Sequence, residues 1–108
     1  MTKIRFYHNN QGEILGFQTI GHAGYAEYGE DIVCAGVSAL VLNTVNSIET
    51  LTADRLITET DEVKGIIRTK FSGRRSREGQ LLMQSLRLGV LELEAEYDQF
   101  IQVSFKEV

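Results

Sequence analysis

One cysteine, Cys34, and two histidines, His8 and His22, are the groups in this chain best suited to nucleophilic chemistry. A thiol attacks as its thiolate, and with an ordinary pKa of about 8.5 only a few per cent of it is ionised at neutral pH. A helix N-terminus and a neighbouring imidazolium both favour the anion. Cys34 stands three residues after Asp31, where an apolar-periodic stretch begins. With Asp31 as N-cap, the cysteine falls in the first turn of a helix. His22 stands at the end of a strand-like alternation that leads into the same connection. A strand end and a helix start joined by one loop can lie side by side, within reach of a Cys–His hydrogen bond. First-turn N–H groups would then face the oxyanion formed when a thiolate attacks a carbonyl. Plainer readings stand beside this one. A lone cysteine is often a small buried hydrophobe, and a loop histidine often only bonds backbone. His8 lies in an ordinary strand with nothing around it that suggests chemistry. Cys34, His8 and His22 match no metal-ligand spacing, so neither a metal nor a cofactor is expected.

The elements that must position these groups follow from periodicity. Ile4, Phe6 and His8 alternate with Lys3, Arg5 and Tyr7, which predicts a strand. A turn at Asn9–Gly12 leads to a second strand over Ile14–Ile20, completing a hairpin. From Gly21 to Asp31 the periodicity vanishes. Gly21, Gly24 and Gly29 lie there with Tyr25, Glu27, Tyr28 and Glu30. Glycine at that density permits close approach by another chain and suggests a loop that orders over a bound peptide. Val37, Val41, Val45 and Ile48 mark one face of a helix over Ile32–Leu51. Strands follow at Arg55–Thr60 and Val63–Phe71, with Asp61-Glu62 as the turn, then a helix over Arg77–Glu96 and a strand over Gln99–Lys106. The second helix carries two apolar stripes, Leu82/Leu86/Val90/Leu93/Tyr97 and Leu81/Leu88/Leu91/Ala95, on nearly opposite sides. The sheet covers one. A second copy of the chain or the first helix covers the other, and a homodimer through this helix is the expectation. The order β-β-α-β-β-α-β describes one α+β domain over residues 1–108, a mixed sheet with both helices on one face.

Gly21-His22-Ala23-Gly24-Tyr25, followed by Asp31-Ile32-Val33-Cys34-Ala35-Gly36-Val37-Ser38, resembles the YsxB-like family of ribosomal-processing cysteine proteases called Prp. The shared motif is Gly-His-Ala after a strand, then Asp-x-x-Cys-Ala opening a helix, with Ser four residues past the Cys. The resemblance implies Cys34 as nucleophile and His22 as base, with Asp31 and Ser38 beside them. Asp31 either caps the helix or orients the imidazole; Ser38 either donates to the site or covers a carbonyl. It further implies a small cytoplasmic dimer. Such a dimer removes the N-terminal extension of large-subunit ribosomal protein twenty-seven, cutting after an aromatic residue and ahead of lysines. Glu27, Glu30 and Asp31 suit such lysines, and Tyr25 and Tyr28 suit the aromatic residue. Gly21, Gly24 and Gly29 complete the substrate-binding loop.

Composition bounds the alternatives. Hydrophobic residues at 43% and charged residues at 24% are those of a folded globular chain. A net charge of −4 argues against nucleic acid as the main partner. No apolar run approaches the roughly 18 residues of a membrane span, and the N-terminal alternation is unlike a signal peptide, so a cytoplasmic location with no membrane contact is expected. The runner-up to a protease is a non-catalytic ribosome-associated binding module with a structural Cys34. A cluster at Lys70, Arg74, Arg75 and Arg77 reads as a solvated loop.

Overall fold

The computed structural model describes residues 1–21 and 28–108, with side chains resumed at Asp31. Its elements are β1 (Thr2–His8), β2 (Ile14–Ile20), α1 (Tyr28–Leu51), β3 (Leu56–Asp61), β4 (Ile66–Phe71), α2 (Arg77–Glu96) and β5 (Ile101–Glu107). The sheet order is β3-β4-β2-β1-β5, with β1 and β5 parallel and every other pair antiparallel. This is the mixed α+β sheet that the periodicity implies.

Strand alternation gives the sheet two unlike faces. Ile4 and Phe6 of β1 stand beside Phe17 of β2, Thr69 and Phe71 of β4 and Ile101 of β5, all buried. The helices lie on this face. Val33, Val37 and Ile48 of α1 and Met83, Leu86 and Val90 of α2 close the core against it. The Phe6 ring meets Phe17 at 6.2 Å and Phe105 at 5.8 Å between centroids. The two helices touch through glycines: Leu40 packs over Gly89 and Leu93 over Gly36.

A buried carboxylate ties the α1–β3 connection to the start of α2. Asp54, just before β3, accepts from the Ser76 amide at 3.0 Å and the Ser76 hydroxyl at 2.7 Å. Ser76 in turn caps α2 by accepting from the Gly79 N–H at 3.0 Å.

Several boundaries move. The β3–β4 turn spans residues 62–65 rather than Asp61-Glu62, because Gly65 takes φ +67° and Asp61 accepts from the Lys64 amide. β4 therefore begins at Ile66 and leaves Val63 exposed. Along α2, Met83 is fully buried although neither apolar stripe contains it, while Leu81 and Leu88 are 70% and 61% exposed. The first helix thus leaves these two leucines uncovered. Asp31–Leu51 is long and apolar enough, at mean hydropathy 1.5, to pass as a membrane span by composition alone, which residue runs did not reveal. Its inner side is nevertheless core, with Val33, Val37 and Ile48 buried.

Candidate active site

The path to Cys34 starts at the end of β2. The Gly21 N–H donates to the Gly65 carbonyl at 2.9 Å, so the turn of the adjacent hairpin clasps the strand exit. Gly65 can serve because its left-handed backbone costs glycine nothing. This clasp is absent from the sequence-based reading; its one signal is a glycine closing the turn after Asp61.

α1 takes up the chain at Tyr28, and Cys34 is its seventh residue. The thiol is half-buried. Val33 and Val37 beside it are buried, whereas Asp31 and Ser38, one turn to either side, are exposed. At i−3 and i+4 these two share a helix face with Cys34. The arrangement sets the cysteine between the buried and the exposed sides of the helix.

The helix start corrects the expected N-cap. Asp31 lies inside α1, and Cys34 lies four residues deeper than a helix beginning at Ile32 would place it. One helical glycine, Gly29, costs only about 1 kcal/mol. Acidic residues such as Glu30 and Asp31 are favoured in a first turn by the helix dipole. The helix therefore extends back through a segment that reads as loop. Cys34, seventh in α1, lies beyond the first turn, and its amide falls within the i−4 ladder. The dipole also fades beyond the first turn. First-turn N–H groups thus do not surround Cys34.

Of the two histidines, His8 is among the described residues. His8 ends β1 opposite Ile14, its Nδ1 3.1 Å from the Asn9 carbonyl oxygen. The chain leaves the sheet for α1 after Ile20, at the other end of β2 and about 20 Å of strand away. His22, Gly24, Tyr25 and Glu27 lie outside the described residues, as do the side chains of Tyr28 and Glu30, while the Gly29 backbone belongs to α1.

The basic cluster is not one patch. Lys70 belongs to β4, on the sheet face away from the helices, while Arg75 reaches back to Glu13 at 3.5 Å. A hydrogen bond from Asn9 and, less strongly, the Arg75 charge hold the Glu13 carboxyl below the ordinary carboxylate range, although desolvation opposes them. Arg74, in the loop, and Arg77, the first residue of α2, are both exposed.

A mixed sheet with both helices on one face and a half-buried thiol in the second turn of α1 defines a thiol-bearing α+β domain. The chain belongs to the family described as cysteine protease Prp, whose model matches residues 1–102. A ribosomal processing cysteine protease Prp of Staphylococcus aureus is 34% identical over 98 residues, covering 91% of this chain and 92% of that one. The S. aureus Prp structure in complex with a substrate peptide superposes with a TM-score of 0.90 at 31% identity, covering 98% of this chain and all of that one. A second, with a covalently linked product peptide, gives 0.86 at 32% identity and the same coverage.

Proposed function

We propose that this protein is a site-specific endopeptidase that removes the N-terminal extension of large-subunit ribosomal protein twenty-seven, cutting after an aromatic residue, with Cys34 as nucleophile and His22 as base. One observation carries the assignment of the nucleophile. A cysteine protease needs a thiol, and this chain has one cysteine. The same elimination supports His22. Of two histidines, His8 is at the wrong end of the sheet, and His22 directly follows the clasped Gly21.

The chemistry then runs as follows. His22 takes the Cys34 proton as Sγ attacks the carbonyl carbon of the scissile bond. Collapse of the tetrahedral adduct breaks the C–N bond, and the imidazolium returns its proton to the leaving amine. Water, deprotonated by His22, hydrolyses the thioester and frees the new C-terminus and the thiol. A covalent adduct of this kind accords with the product-linked S. aureus Prp structure. Asp31, exposed one turn from Cys34, adds negative charge where lysines beyond the scissile bond would lie. Ser38, on the other side, is placed to donate to the bound peptide. Glu27 and Glu30 would extend the negative charge; Tyr25 and Tyr28 would hold the aromatic residue, and Gly21, Gly24 and Gly29 would let the loop close.

We further assign the active form as a cytoplasmic homodimer built on α2. The uncovered Leu81 and Leu88 support this, because a second copy is the simplest cover for a stripe that α1 leaves open. The deciding assay incubates the chain, and separately Cys34→Ala, with N-terminally extended ribosomal protein and reads products by mass spectrometry. One cut after an aromatic residue, abolished by the substitution, is expected. No cleavage by the unmodified chain, or equal cleavage by both, would end the proposal.

A further inference from the structure

The sheet face turned away from the helices bears a charge pattern that proteolysis does not use. Strand register places its side chains in rows. Ser104, Arg5, Gln18, Arg68 and Glu59 form one row across β5, β1, β2, β4 and β3. The next is Lys106, Tyr7, Gly16, Lys70 and Ile57, and Lys3 stands in the row on the other side. Lys3, Arg5, Arg68, Lys70 and Lys106 are all exposed. They are five of the eleven Lys and Arg residues, in a chain whose net charge is −4, so charge is strongly segregated onto this face. The open-face positions of β1, β2, β4 and β5 hold no carboxylate; Glu59 and Asp61 stand only on the edge strand β3.

None of the five cations makes an ion pair among the described residues. Arg5 donates to the Ser104 hydroxyl at 3.3 Å and Arg68 to the Gln18 side-chain Oε1 at 3.0 Å, both neutral partners that orient the guanidinium groups without neutralising them. Neighbours along a strand on one face are roughly 6.6–6.8 Å apart and adjacent strands about 4.8 Å, so the five charges occupy a patch on the order of 15 Å across.

The patch also has a place for a flat ring. Gly16 contributes no side chain, and beside it a concavity of about 390 Å³ is lined by Tyr7, Leu15, Arg68, Lys70 and Val108. The gap cannot be filled by mutation without cost, because a Cβ on Gly16 would run into the Thr69 carbonyl oxygen. An aromatic side chain and an apolar floor flanked by cations favour a chain of planar bases joined by phosphates over a purely acidic peptide.

We propose that this face docks single-stranded RNA. The proposal stands apart from the proteolytic reading. α1 and Cys34 occupy the opposite layer, so RNA on the open face leaves the thiol clear, and cleavage of a free peptide needs no nucleic acid. The test is fluorescence anisotropy of a labelled twelve-nucleotide RNA across salt concentrations, with an equally long polyglutamate as competitor. Binding should weaken with a log–log salt slope of about −2 to −3.5, as three to five phosphate contacts require. Arg5→Glu with Arg68→Glu should weaken it at least tenfold and flatten the slope. Tyr7→Leu should weaken it several-fold or more at an unchanged slope. Peptide cleavage and melting should match the parent in both variants. Absence of binding, binding indifferent to the arginine pair, or displacement by polyglutamate with a silent Tyr7→Leu would overturn the proposal; the last outcome would identify an acidic protein surface as the occupant.

Discussion

Replacing Leu81 and Leu88 together by serine should leave the fold intact and separate the proposed dimer. Both side chains point away from the core, at 70% and 61% exposure, so the chain loses little by their truncation. In a symmetric dimer each stripe is buried twice, once on each protomer. Fully burying a leucine is worth roughly 1.5–3 kcal/mol, so covering the exposed two-thirds of four leucines stabilises the dimer by roughly 4–8 kcal/mol. Serine forfeits most of this. Even the lower figure corresponds to nearly three powers of ten in Kd, and a weakening of at least about a hundredfold is expected. Sedimentation equilibrium measures the association, and a circular-dichroism melt checks that the variant folds. The reasoning fails if the unmodified chain is monomeric at its highest soluble concentration. It fails equally if the double variant associates as tightly as its parent.

Four further outcomes are expected. Gly79→Ala should destabilise, although Gly→Ala inside a helix ordinarily gains about 1 kcal/mol, because the new Cβ runs into the Asp54 carboxylate and lies 3.2 Å from the Phe71 ring. Asp54→Ala should cost roughly 2–3 kcal/mol by stranding the Ser76 donors, and urea titrations showing either variant as stable as the parent would contradict this. The lowered Glu13 pKa adds stability that is present above the ordinary carboxylate pKa and lost as pH falls through the lower folded value. An NMR titration should place the Glu13 midpoint below that of a free glutamate, and Asn9→Ala should raise it; an ordinary midpoint in the parent would refute the assignment. Finally, His22→Ala should abolish peptide cleavage while His8→Ala leaves it near the parent rate, and the reverse pattern would remove His22 from the mechanism.

The sequence-based reading succeeded where a single periodicity decides the answer and failed where two weak preferences compete. The β1–β2 hairpin is legible because Ile4 and Phe6 alternate cleanly and Gly12, at φ +83°, supplies the left-handed turn residue. α2 is legible to the residue because Ser76 is a capping side chain just ahead of a strong apolar stripe. Met83 escaped because it lies between the two stripes, and only the packing of α2 against the sheet shows which flank turns inward. Asp54 was invisible for another reason. A buried carboxylate finds its donors on Ser76, twenty-two residues away, and no local pattern encodes that contact. The start of α1 is the consequential miss. A glycine and two acidic residues read as loop, yet the acids are favoured in a first turn and one glycine is too weak a breaker to stop the helix. Moving that boundary four residues alters the chemical argument more than the fold. With Cys34 in the second turn, the helix terminus no longer supplies unpaired N–H groups at the thiol. In the proposed mechanism the burden of making a thiolate then falls on His22. The residues between Gly21 and Tyr28 thus matter more to the proposed catalysis than they would if Cys34 opened the helix.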